Sequence, residues 1–136
     1  MKMLAATPAL PVRDVPSAVG FYRDRLGFEA RHVAGGFAIM QRDDIEIHLW
    51  EANSPDTPGA EPHLAGSASC RVRVEGLHEL YDEYRAQGVI HPNGALAAQP
   101  WGVEDFTVLD LDGNAIAFFE PVPHPSSCPP LFASPP

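Results

Sequence analysis

The side chains most able to do acid–base or metal chemistry are the six histidines and two cysteines. His48 follows Glu46 by two positions in an alternating segment, so both side chains would share one face of a strand. General acid–base catalysis needs such a neighbouring pair, but a solvated sheet face produces the same alternation. Cys70 and Cys128 lack metal-site spacing. The sequence shows neither a Ser/His/Asp or Cys/His constellation nor a glycine-rich phosphate loop.

A second group of side chains offers recognition rather than reaction. Two aromatic faces that admit a planar heterocycle form a stacking clamp, in which each contact contributes about 0.5–1.5 kcal/mol beyond area burial. Core packing is the alternative explanation for Phe37 and Phe119. Trp101 lies in a Pro-Trp-Gly loop, and loops often carry function. The candidate rings are Phe37, Trp50, Trp101 and Phe119, with His32 and His48 as polar rings.

The elements that must position these residues occur twice along the chain. Each half opens with an apolar strand, continues into a helix with a Phe-Tyr or Leu-Tyr pair, and stops that helix at glycine, Gly27 or Gly88. Alternating apolar strands close each half. We therefore predict an α+β fold of two βαβββ modules in one domain. Its parts are modules 1–50 and 67–120 within a domain of residues 1–120, a linker at 51–66 and a Pro-rich tail at 121–136.

Alternation assigns the faces of two strands. In residues 45–50, Ile45, Ile47 and Leu49 should face a helix, whereas Glu46, His48 and Trp50 should face away. In residues 69–74 the apolar positions likewise face the helix, which leaves Ser69, Arg71 and Arg73 on an open face. The remaining predicted strands are 9–12, 29–33, 37–42, 105–109 and 115–120. Asp14 or Ser17 is expected to cap the first helix, and the second helix is predicted to span 77–87.

Composition restricts the partners. The formal charge is −9, which argues against nucleic-acid binding and favours a neutral or cationic ligand. Simple solubility explains the charge equally well. The sequence contains neither a signal peptide nor an apolar run near the roughly 20 residues of a membrane span. We therefore expect a cytoplasmic protein with no membrane partner.

The repeated module resembles the vicinal-oxygen-chelate superfamily, which includes glyoxalase I, extradiol dioxygenases and bleomycin-resistance proteins. The resemblance covers residues 7–121. The strand–helix opening is shared across the superfamily, whereas Pro8 together with Pro100-Trp101-Gly102 is closest to the resistance branch. Other stretches that carry the likeness are Phe21-Tyr22 and Asp110-Leu111-Asp112-Gly113-Asn114.

The resemblance places the metal-ligand positions of the superfamily's enzymes at Thr7, His48, Ser69 and Ala117. A catalytic site needs about three protein ligands and an open position. Only His48 ligates a divalent metal well, because neutral hydroxyls are poor ligands and a methyl group is none. We therefore predict neither metal nor cofactor.

The resemblance also implies a ligand groove between the subunits of a strand-exchanged homodimer, with Pro8 directing the first strand towards the partner. His32 replaces an aromatic residue of some relatives, and Arg71 and Arg73 stand where some relatives carry Trp. The expected ligand-binding residues are His32, Phe37, His48, Trp50, Arg71, Arg73, Trp101, Gly102 and Phe119.

These features predict a non-catalytic protein that sequesters a bleomycin-like or other planar aromatic peptide antibiotic. One alternative is a metal-dependent glyoxalase, dioxygenase or thiol transferase. Another is a biosynthetic or self-protection protein that holds an aromatic peptide intermediate, which would need the same groove.

Overall fold

The computed structural model describes residues 1–53 and 61–123, which form two mixed four-stranded sheets, each with one helix. The α+β prediction is confirmed. The first sheet has the order β1-β4-β3-β2 and the second β5-β8-β7-β6, and the first strand of each pairs in parallel with the last. The elements are β1 Ala9–Val12, α1 Val15–Leu26, β2 Glu29–Ala34, β3 Phe37–Arg42, β4 Ile45–Glu51, β5 Ser69–Arg73, α2 Leu77–Ala86, β6 Ala97–Gln99, β7 Val103–Leu109 and β8 Ala115–Pro121.

The predicted faces are confirmed by burial. Ile47 and Leu49 are buried in the core beside α1, whereas the alternating residues His48 and Trp50 are half-buried. In β5, Val72 is buried and its arginine neighbours are exposed. One face of each sheet therefore packs on its helix, and the other carries the candidate site residues.

The start and end of α1 follow local chemistry. The sequence left Asp14 and Ser17 as alternative caps, and the structure selects Asp14, whose carboxylate accepts a 3.0 Å hydrogen bond from the Ser17 backbone N–H. Gly27 ends the helix at φ 76°, a left-handed conformation that glycine adopts without a Cβ penalty.

Several predicted elements and boundaries differ from the structure. Strand β6 falls in a segment predicted to be loop, because its three residues lack β-branched side chains and depend on pairing with β7. Strand β7 begins at Val103 rather than at Asp105. Strand β4 continues to Glu51 and Pro62–Leu64 form a 3₁₀ turn within the predicted linker. Pro121, the first residue of the predicted tail, still pairs with Val103, while residues 124–136 lie outside the described residues.

A buried carboxylate joins the two modules. Asp110, at the β7–β8 turn, accepts a 2.9 Å hydrogen bond from the hydroxyl of Tyr22 on α1. Its side chain also accepts bonds from the Asn114 side chain and from backbone N–H groups of its own turn. Asn114 in turn donates to the Pro11 carbonyl at 2.8 Å. Burial and the Asp110 charge raise the pKa of Tyr22 well above its ordinary value.

A second group of contacts joins the modules, also on the side of the sheets that packs against the helices. The Arg42 guanidinium donates to both carboxylate oxygens of Glu83, at 2.7 and 2.9 Å, and to the Leu26 carbonyl at 2.8 Å. The buried Tyr84 hydroxyl donates to the same carbonyl at 2.7 Å. Among the described residues, no helix has the length and hydropathy to span a membrane.

We expect Tyr22→Phe to lower the free energy of unfolding by about 1.5–3 kcal/mol, the range for a hydrogen bond to a charged group. The matched control is Tyr81→Phe, because the half-buried Tyr81 hydroxyl makes no hydrogen bond within residues 1–53 and 61–123. Urea unfolding followed by circular dichroism measures both. Equal stability of the two variants would refute the role of the Tyr22–Asp110 bond.

Candidate ligand-binding site

The open face of the first sheet carries a cluster of rings. Phe37 on β3 meets His48 on β4 edge to face, with ring centroids 5.1 Å apart and an interplanar angle of 78°. His32 on β2 lies 6.4 Å from Phe37 in a tilted arrangement. Such edge contacts fix ring orientation and leave ring faces for a ligand.

Trp50 extends this cluster along the sheet. It is the cross-strand partner of Phe37, and facing pairs of this kind lie on the same side of an antiparallel sheet. Both side chains are half-buried, whereas Ala38 and Met40, beside Phe37 on β3, are buried on the helix side. Phe37 therefore lies outside the helix-side core, which removes core packing as the explanation for this residue.

The open face of the second sheet presents a different group. The Arg71 guanidinium carbon lies 5.2 Å from the centroid of the Phe119 ring, and its Nη2 lies 3.4 Å from Asp105 Oδ2. Gln99 donates to the other Asp105 oxygen at 2.9 Å. Phe119 is half-buried while Phe118 is in the core, so Phe119 too belongs to the open face.

Trp101 and Gly102 lie at the tip of the β6–β7 hairpin. Gly102 has φ 90°, donates to the Gln99 carbonyl at 3.2 Å and accepts from the Val122 N–H at 3.1 Å. The turn is therefore fixed to the end of β8. Trp101 is 37% exposed and makes no ring–ring contact with the aromatic residues that the structure describes.

The structure thus brings the predicted residues together in two groups rather than in one clamp. His32, Phe37, His48 and Trp50 form one, and Arg71 with Phe119 forms the other. Within residues 1–53 and 61–123, no ring–ring contact joins the groups to each other or to Trp101. Both groups lie on open sheet faces.

A partly open cavity lies elsewhere on the protein. This cavity of about 570 Å³ lies between the β3–β4 turn and the β5–α2 connection, with Asp43, Asp44, Glu75 and Glu79 among its lining residues. Arg73 is the single predicted site residue that lines it.

The superfamily's metal positions do not form a fitting donor set. Thr7 and Ser69 supply neutral hydroxyls and Ala117 a methyl group, so His48 alone would ligate a metal. Among the described residues, no group of three or more His, Cys, Asp or Glu side chains could hold a metal ion.

His48 nevertheless has an unsatisfied polar atom. Its Nε2 is buried and makes no hydrogen bond with the described residues, and Glu46 Oε2 lies 3.5 Å away. A buried polar atom without a partner destabilises a fold by about 1–3 kcal/mol. A ligand group on this face could supply the missing bond.

Two residues of the site escaped the sequence analysis. Asp105 and Gln99 hold Arg71, yet Gln99 lies on the short strand β6 that was not predicted. Asp105 is the register partner of Phe119. The alternation of the acidic Asp105 with the apolar Phe106 and Val108 indicates that Asp105 lies on the open face. Without the strand pairing, the sequence does not show that Asp105 contacts Arg71.

The family model of the Glyoxalase/Bleomycin resistance protein/Dioxygenase superfamily matches residues 5–118. The chain belongs to this superfamily. The match spans both sheets and therefore confirms the predicted resemblance.

Individual superfamily members agree with this assignment. A bleomycin resistance protein of Geobacillus stearothermophilus is 45% identical over 130 residues, which cover 88% of this chain and 98% of that protein. The solved structure of a bleomycin-binding protein complexed with bleomycin is 30% identical, with a TM-score of 0.67, over 88% of this chain and 100% of the other. The bleomycin-binding protein from bleomycin-producing Streptomyces verticillus, complexed with copper(II)-bleomycin, is 29% identical, with a TM-score of 0.68, over 87% and 96%.

We expect added Zn²⁺, Ni²⁺ or Mn²⁺ to leave the thermal unfolding midpoint unchanged, since only a ligand that binds the native state raises it. Differential scanning calorimetry of tag-free protein with each metal measures this. His48→Ala is the control, because a metal-induced rise that disappears in this variant would contradict the prediction.

Proposed function

We propose that this protein is a non-catalytic binding protein that sequesters bleomycin or a similar planar, aromatic peptide antibiotic. The observation that carries the proposal is the ring cluster on the open face of the first sheet, beside four metal positions of which only His48 has a metal-binding side chain. Such a face can bind a flat molecule by stacking, and among the described residues no group of three or more His, Cys, Asp or Glu side chains could hold a metal ion.

The ring geometry suits stacking. Phe37 is held by His48 and His32, so little side-chain freedom remains to be lost when a ligand binds. A thiazole ring is flat and aromatic, and it can stack on Phe37 while Trp50 forms the adjoining wall. Trp101 contributes from the hairpin tip, where it is accessible to a ligand.

The charge of the protein favours a cationic antibiotic. The chain has 18 acidic and 9 basic residues, and a net negative field speeds encounter with a cation in a salt-dependent manner. Glu46 stands on the ring-bearing face, 3.5 Å from His48 and 3.6 Å from Arg31. The acidic residue therefore lies where the cationic part of a ligand would approach.

We further propose that two copies complete the groove in a strand-exchanged homodimer. Each chain supplies two separated binding surfaces, and a partner copy could face one against the other. The side chains of Met1, Met3 and Leu4 are exposed before β1. In the single chain Pro8 accepts a hydrogen bond from His48 N–H at 3.0 Å, so strand exchange would replace this contact with its equivalent from the partner.

The proposed antibiotic binding would serve either resistance or self-protection. The relative from Geobacillus stearothermophilus is a resistance protein, whereas that from Streptomyces verticillus comes from an organism that makes bleomycin. The greater identity to the former favours resistance. A bleomycin challenge of a sensitive host that expresses this protein tests that role directly.

We expect Trp101→Ala to weaken bleomycin binding by about 2 kcal/mol or more, because aromatic anchors dominate binding interfaces. Isothermal titration calorimetry with metal-free bleomycin measures the affinity. Leu111→Ala is the control, since Leu111 is an exposed apolar residue on a different turn.

Two results would contradict the proposed function. One is a dissociation constant of the unmodified protein weaker than about 100 μM, an affinity too low for sequestration. The other is a Trp101→Ala variant that binds as tightly as the Leu111→Ala control.

We expect light scattering at micromolar concentration to give twice the 14.7 kDa chain mass. If the first strand is exchanged, the interface is part of the folded core, and dilution should not release a folded monomer. A stable monomeric particle would contradict the dimer while leaving the ring cluster of each chain intact.

A further inference from the structure

Arg71 lies across its own sheet instead of projecting from it. Its direct partner on β8 is Ala117, whose methyl group leaves room above the strand. The guanidinium reaches over β8 to Asp105 on β7 and covers the Phe119 ring on the way. The small residue at position 117 thus has a structural consequence besides its inability to bind metal.

The arginine is held by charge as well as by its contact with the ring. Asp105 is 14% exposed and is held from its other oxygen by Gln99. The Arg71 side chain is 50% exposed. The guanidinium therefore lies over the Phe119 ring, while half of the Arg71 side chain remains accessible to solvent.

We propose that the exposed face of Arg71 is a stacking platform for a flat, uncharged heterocycle or amide of the ligand. This inference rests on the proposed function and assigns one of its subsites. Guanidinium groups stack on planar π systems. Because Asp105 balances the charge of Arg71, the platform adds a planar surface without placing an unpaired positive charge beside a cationic ligand.

The platform also gives selectivity that an aromatic side chain would lack. Arg71 keeps N–H groups beyond the one directed at Asp105, and a guanidinium has five donors. A ring that carries a carbonyl or ring nitrogen at its edge can accept from them while its plane stacks. A purely hydrocarbon ring gains the stacking alone.

The first test distinguishes the effect of the planar shape of the Arg71 guanidinium from the effect of its charge. Arg71→Lys keeps the charge but loses the plane, and we expect about tenfold weaker binding of metal-free bleomycin, within the range of a desolvated stacking contact. Arg85→Lys is the control, because Arg85 likewise lies over a ring, Tyr81, and beside an acid, Asp82, but on helix α2. Calorimetry measures both affinities and circular dichroism checks the fold.

Arg71→Gln distinguishes the remaining explanation. If Arg71→Gln weakens binding while Arg71→Lys matches the unmodified protein, the residue acts through charge and the platform is refuted. Equal affinities for Arg71→Lys and Arg85→Lys refute it as well.

A second measurement is independent of tight bleomycin binding. Thiazole-4-carboxamide at millimolar concentration should move the Arg71 Nε–Hε resonance upfield in ¹H–¹⁵N spectra, through the ring current of a stacked heterocycle. The Arg85 resonance should stay in place. An unmoved Arg71 signal overturns the inference even where bleomycin binds. A shifted signal with no bleomycin binding supports the platform and rejects the proposed function alone.

Discussion

Among the described residues, each sheet has two faces but only one helix to cover them. Helix α1 contacts β2, β3 and β4, and α2 contacts β7 and β8, and the buried apolar positions of β3, β4, β7 and β8 are directed to the helices. Period-two alternation then places every second side chain on an uncovered face. Half-buried rings on that face, such as Phe37 and Trp50, are consistent with a surface that another molecule completes. Within the described residues, these open faces are therefore without an intramolecular helix to cover them.

The contacts that join the modules lie on the helix side of both sheets. Tyr22 reaches Asp110, and Arg42 and Tyr84 share the Leu26 carbonyl. These polar bonds are directional, so they fix how the modules are placed more tightly than apolar packing alone would. None of them uses a residue of the ring cluster or of the Arg71 group. The side chains that join the modules here are thus distinct from those proposed to bind a ligand.

Sequence patterns predicted whatever depends on neighbours along the chain. Alternation predicted the faces of β4 and β5, and cap chemistry predicted the end of α1 at Gly27 and left Asp14 and Ser17 as alternatives for its start, because each signal lies within a few residues. The pairing of Arg71 with Asp105 could not be predicted in this way, since 34 positions separate them and their contact depends on the register of β5, β8 and β7. Strand β6 was missed for the same reason, as its pairing with β7 and not its own composition makes it a strand.

The positions related to the superfamily's metal ligands do not form a metal site among the described residues. An enzyme of this fold needs several donors that converge on one point, whereas stacking needs flat groups with accessible faces. Ala117 illustrates the exchange, because the same methyl group that removes a donor makes room for Arg71 to lie over Phe119. His48 keeps its imidazole but has Phe37 at its edge and no bonded partner for Nε2 among the described residues. His48 is a residue type that binds metals, but at this position it can offer a ligand its ring and one hydrogen bond.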